Sequence, residues 1–98
     1  MPSAKVTYNG KVLAQSDKTI IVEGNHYFPP DSVSMGYFVE NDEHTECHWK
    51  GTASYYDLAV DGKESGSAAW TYHEPISNAA ERIKHYVAFY NHKVDSID

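Results

Sequence analysis

The sequence predicts a mainly β fold: a single compact antiparallel domain of several short strands, built as a small barrel or sandwich, with one short helix near the C-terminus. Two observations carry that expectation. Turn signals recur along the chain at Asn9-Gly10, Ser16-Asp17-Lys18, Gly24-Asn25, Pro29-Pro30-Asp31, Asn41-Asp42 and Asp61-Gly62, a spacing that suits short strands. The 98 residues also include 8 Tyr, 3 Phe and 2 Trp, an aromatic load that favours pleated surfaces over helices. A chain of this length supports one modest core, so residues 1–98 are expected to form one domain.

Taken in order, Asn9-Gly10 suits a two-residue type I′ turn, whose central residues need positive φ. That turn makes a hairpin of Lys5 to Ser16 with Val6 opposite Leu13 and Thr7 opposite Val12. Thr19 to Glu23 is a third β-branched run. Pro29-Pro30 ends whatever strand His26-Tyr27-Phe28 belongs to, because proline donates no ladder hydrogen bond. Val33 to Val39 fits strand or helix. Asn78 and Glu81 have capping-box spacing behind Pro75, which predicts the short helix. Tyr86 to Tyr90 is apolar on both faces and reads as a central strand covered on each side.

Composition excludes several classes. Eight Lys and Arg against 14 Asp and Glu leave a formal charge of -6, which repels a phosphate backbone, so no nucleic acid partner is expected. The N-terminal residues carry no apolar h-region and no apolar run approaches a membrane span, so the expected location is cytoplasmic, with no membrane partner. A single cysteine allows no intrachain disulfide.

The second hairpin nominates a site. With Asp61-Gly62 as a two-residue loop, Gly51 faces Tyr72, Ala53 faces Trp70 and Tyr55 faces Ala68, each large ring against a small partner. The other face then holds Lys50 opposite His73, Thr52 opposite Thr71, Ser54 opposite Ala69 and Tyr56 opposite Ser67. One reading packs the aromatic face inward and leaves the polar face to water. The other makes Lys50 and His73 a site for a small anionic group, because neighbouring cationic groups welcome a carboxylate or phosphate. Thr52, Thr71 and Tyr56 add hydrogen bonds, and Trp70 and Tyr72 support the ligand from behind or stack on it.

Three accessory residues surround this patch in the reading: Asp31, Cys47 and His48. In an extended strand Cys47 points with Trp49, away from His48 and Lys50, which makes it a packed and inert thiol unless it sits in the loop before the strand. His44, Cys47 and His48 have suggestive spacing, but no second cysteine pair completes a structural zinc set, so no metal and no cofactor is expected. Asp31 follows two prolines, where an acid serves a turn more often than catalysis. The glycines have neither Walker nor dinucleotide spacing.

Gly10 to Ser16, Tyr27-Phe28-Pro29 with Asp31 and Val33, Thr45 to Cys47, Trp49 to Ala53 with Tyr55-Tyr56, Ala69 to Tyr72 before Pro75, and Tyr86 to Tyr90 follow one another as motifs. In that order they resemble the family known as domain of unknown function 427, also labelled nucleotidyltransferase-like, over about residues 5–94. The resemblance implies a β-tent-like antiparallel domain without zinc cysteines. Family members usually carry proline after the cysteine, where His48 stands here. The paired carboxylates that nucleotidyl transfer needs have no counterpart in Asp42-Glu43 or Glu46. Binding of a small anion is therefore the first functional expectation. A protein-interaction or homodimerisation module with an open sheet edge comes second, and an enzyme using Lys50 as amine or His73 as acid and base third.

Overall fold

The computed structural model describes residues 3–98. Nine strands are described: β1 (Ala4–Tyr8), β2 (Lys11–Ser16), β3 (Ile20–Val22), β4 (Asn25–Tyr27), β5 (Phe38–Cys47), β6 (Gly51–Val60), β7 (Lys63–Tyr72), β8 (Val87–Phe89) and β9 (Ser96–Ile97). They form three antiparallel sheets, ordered β2-β1-β9, β3-β4 and β5-β6-β7-β8, and among the described residues none closes into a barrel. The one α-helix described, α1 (Asn78–Glu81), is four residues long. The mainly β, antiparallel class with a short C-terminal helix therefore holds.

Three tight hairpins share one geometry. Asn9-Gly10, Glu23-Gly24 and Asp61-Gly62 all have positive φ at both residues, from 49° to 83°, as type I′ loops require. The second turn is thus Glu23-Gly24 instead of Gly24-Asn25, and Val22 pairs with Asn25.

Register departs from expectation where a bulge intervenes. In the first hairpin Thr7 faces Val12 as expected, but Val6 faces Ala14, because Leu13 is an extra residue in β2. That insertion turns the adjacent residues Leu13 and Ala14 both inward, which regular alternation forbids. In the second, Val60–Lys63, Ala59–Glu64 and Leu58–Ser65 keep the register of a two-residue loop. Beyond Asp57 it shifts: Tyr56 faces Ala69, Tyr55 faces Trp70, Ser54 faces Thr71 and Ala53 faces Tyr72. The pairing of large rings with small partners fails at Tyr55 and Trp70, which lie directly opposite each other. The shift is even, however, so Ala69 to Tyr72 keep their faces, while Ala68 within the bulge turns to the Tyr56 side instead of the Tyr55 side.

Both faces of the four-stranded sheet are covered. Tyr56, Leu58, Val60, Ala69 and Phe89 pack against Val6, Tyr8 and Leu13 of the first sheet. On the reverse, Ala53, Tyr55, Trp70, Tyr72 and Ala88 pack against Val22 and Tyr27 of the β3–β4 hairpin and against Ile83. The face expected to meet water is therefore core around Ser54, Tyr56 and Thr71, which are buried. β8 alternates as expected, with Val87 and Phe89 in one core and Ala88 in the other. It ends the sheet order, but reciprocal backbone hydrogen bonds between Phe28 and Val87 of 2.8 and 3.0 Å cover its outer edge.

Three further readings are corrected. Asn41-Asp42 lies inside β5, where a register break between Glu40 and His44 accommodates it. Val33 to Val39 is neither one strand nor one helix: a 3-10 turn over Met35–Tyr37 leads into β5 at Phe38. Ser77, not Asn78, caps α1, its Oγ accepting the Ala80 N–H at 3.2 Å.

Candidate functional site

The three residues His48, Trp49 and Lys50 form the loop between β5 and β6, closed by the Cys47–Gly51 pair. Strand alternation therefore fails at Lys50. Its side chain turns to the sheet face opposite to the one expected and is buried, 4% exposed. There its ammonium donates to Glu23 and lies 4.8 Å from the Trp49 ring centroid and 5.8 Å from that of Tyr72. The aromatic rings supply the favourable face that a desolvated cation needs. Glu23 is the functional neighbour that sequence reasoning missed, because the Glu23-Gly24 turn brings it across 27 residues of chain.

Electrostatics at this corner are set by Lys50. Burial opposes its charge, but the hydrogen bond to Glu23 and the neighbouring Cys47 thiol outweigh that and hold its pKa above the usual lysine value. The Lys50 ammonium holds the Glu23 carboxyl below the usual range. Burial would push the Cys47 thiol up, yet the N–H groups of Trp49 and Lys50 and the Lys50 ammonium prevail and pull it down. Cys47 is the last residue of β5 and not a loop residue, yet it is half-buried in a setting that favours thiolate instead of being a packed, inert thiol.

His73 stands elsewhere. It follows β7, with Nε2 3.1 Å from Glu40 Oε1 and Nδ1 3.0 Å from His85 Nδ1. The expected Lys50–His73 pairing is absent because Lys50 has left the strand and the extra residues of β7 opposite Asp57 have shifted its register. Thr71 is fully buried and donates to the Tyr86 carbonyl at 2.7 Å. Tyr56 is buried edge-on against Phe38, with ring centroids 5.7 Å apart. Trp70 donates to the Tyr27 hydroxyl at 3.1 Å, inside the second core. Asp31 lies in the exposed 3-10 turn over Pro30–Ser32.

What the fold does gather is a surface groove along β5, β6 and the segment after β7. At one end a cleft of about 550 Å³ is lined by Glu46, Cys47, His48, Gly51, Thr52 and Ile76. At the other, about 370 Å³ is lined by His44, Thr52, Ser54, His73, Glu74 and Ile76. Thr52 and Ile76 belong to both, so the two clefts adjoin at these residues. Of the nominated residues, Thr52, His73, Cys47 and His48 line it, while Lys50 acts from beneath through Cys47. A hydrogen bond of 3.2 Å from the Ile76 N–H to the Lys50 carbonyl fixes the groove wall to the loop. Gly51, with φ +112°, permits this approach, since a Cβ there would stand 3.1 Å from the Glu74 carbonyl oxygen. Among the described residues, no three His, Cys, Asp or Glu side chains are arranged to hold one metal ion.

Fold and groove together define a small antiparallel β domain with adjoining surface clefts beside its single cysteine. The chain belongs to the family described as Domain of unknown function (DUF427), whose model matches residues 2–98. No curated protein sequence matches the chain. No helix among the described residues is long and apolar enough to cross a membrane.

Proposed function

We propose that this domain binds a small molecule in the groove between His73 and Cys47, with an anionic group of the ligand at the His73 end. One observation carries the reading: Thr52, Ser54, His44 and His73, from β5, β6 and the segment after β7, line a single cleft. The Thr52 and Ser54 hydroxyls and the His44 imidazole can donate hydrogen bonds to a carboxylate or phosphate. They stand beside Glu74 and beside His73, whose ring nitrogens are engaged by Glu40 and His85. Ligand sites pair a few polar groups with an apolar wall, here Ile76. Lys50 supports the groove by orienting the loop instead of touching the ligand.

The test is an amide NMR titration with inorganic phosphate, citrate and acetate. The expected result is saturable shifts at His44, Thr52, Ser54 and His73 that are lost in Thr52→Val and His73→Gln. No saturable shift, or shifts unaffected by both substitutions, would overturn the reading. A second reading is favoured by Cys47: a thiolate in the same groove can attack a bound electrophile, so covalent chemistry at sulfur is the alternative to plain binding.

A further inference from the structure

Two histidines meet at the neck of the excursion between β7 and β8. His73 and His85 bracket residues 73–85, the segment that holds α1 and Ile76, which lines the groove. At that neck the His85 N–H donates to the Tyr72 carbonyl at 2.9 Å, and Tyr72 and Lys84 form an isolated bridge. The two imidazoles stand Nδ1 to Nδ1 at 3.0 Å with centroids only 5.2 Å apart, so the nitrogens point at one another. His85 reaches this contact at φ 64°, a left-handed conformation uncommon outside glycine.

The protons can be assigned along this chain of contacts. A carboxylate only accepts, so the 3.1 Å contact with Glu40 Oε1 puts a proton on His73 Nε2. A neutral His73 then has its lone pair at Nδ1, and the proton between the rings belongs to His85 Nδ1. The free lone pair is that of His85 Nε2, where one added proton leaves every contact intact. A second would set N–H against N–H and charge against charge at 3.0 Å. Glu40 holds His73 more firmly once that ring is charged, so His85 is the partner that gives way.

The other titratable or charged groups around the pair are His44 and Glu74, which share a cleft with His73, Lys84 beside His85, and the buried Tyr56, opposite Glu40 on β6. Among the described residues, the hydrogen bonds of the two rings run only to Glu40 and to each other. From this we infer that His73 and His85 form a proton-operated clasp, which closes the neck of residues 73–85 while one proton lies between the rings and releases His85 when both are charged. The clasp needs no ligand in the groove and stands apart from the anion-binding reading.

The experiment is NMR of the whole chain without added ligand at about pH 8 and about pH 5, on either side of the histidine range. At the higher pH, nitrogen–proton spectra of the imidazoles are expected to show His73 as the Nε2–H tautomer and His85 as Nδ1–H. At the lower, the protection factor of the His85 amide is expected to fall about tenfold or more while those of the β6–β7 ladder hold. His73→Gln, whose side chain carries no charge, is expected to abolish that fall. His73 is partly exposed, so the variant is expected to keep the fold. His85 in the Nε2–H form, an unchanged His85 amide, a loss shared by the β6–β7 ladder, or a fall that persists in folded His73→Gln would each overturn the inference.

Discussion

Glu23 has φ 54°, in the left-handed region that asparagine, aspartate and glycine take far more readily than glutamate. Its carboxylate is the partner of the buried Lys50, which gives a reason for glutamate at that strained position. The pair also sets the acid and alkaline limits of its own contribution. Glu23 is depressed in the folded state, so its part is present above its unfolded pKa and lost as pH falls through the folded one. Lys50 is raised, so its part is present below its unfolded pKa and lost as pH rises through the folded one. Lys50→Met keeps the buried stem and removes the charge. It is expected to cost about 1 kcal/mol at neutral pH, kept small by solvent around the exposed Glu23, with the difference vanishing in strong acid. The same substitution should move the midpoint of the pH–rate profile for Cys47 alkylation by iodoacetamide upward, since the thiol loses a cation that favours its ionised form. An unmoved midpoint would show that Lys50 does not act on the sulfur.

At the scale of elements, the bulges decide what faces what. Asp57 stands between them: its Oδ1 accepts the Ser67 N–H at 2.8 Å and the Asn41 Nδ2–H at 2.8 Å, tying the irregular part of β5 to that of β7. These donors hold the Asp57 carboxyl below its usual range. Asp57→Ala leaves them without their partner and is expected to cost about 1–3 kcal/mol in urea denaturation. Because the folded pKa is depressed, this contribution exists above the unfolded value and fades as pH falls through the folded one, so variant and wild type should converge in acid. The same irregular stretch guards the long outer strand β5. Glu40, Asp42, Glu43 and Glu46 project exposed charge along it, and the break at Asn41 interrupts its ladder, devices that oppose pairing with another chain. This arrangement weighs against dimerisation by strand addition at β5. The hairpin turns were legible in advance because positive φ selects Asn-Gly and Asp-Gly. Gly66 marked a possible bulge in β7, and the extra residues do lie at 66–68 opposite Asp57, but Leu13 carries no local mark of being extra to the ladder.

The molecule as a whole consists of one four-stranded sheet between two unequal cores, and its tyrosines report that layering. Burial raises Tyr27, Tyr56 and Tyr72, and the hydrogen bond to Tyr55, with burial, pushes Tyr90 up to about 12. Groups whose pKa is raised on folding stabilise the fold below their unfolded value and cease to do so as pH rises through the folded one. Stability should therefore fall steadily above about pH 10, the ordinary tyrosine range. Ultraviolet titration of the 8 tyrosines should show a late fraction that ionises only as circular dichroism reports unfolding. Ionisation of all of them in one early step would contradict the two-core packing.

The sequence by itself determined the antiparallel β class, two of the three type I′ turns, the short terminal helix and the family, because each rests on local chemistry: the φ demanded of a turn residue, proline's missing donor, or motifs in fixed order. It also placed Thr52, His73, Cys47 and His48 among the residues to watch. Only the tertiary structure decided that Thr71, Tyr56 and Trp70 are core, that Lys50 folds under to Glu23, and that His73 pairs with Glu40. Those outcomes depend on what packs against each face of the sheet and on contacts spanning tens of residues. A period-two pattern shows which residues share a face, not which element covers it.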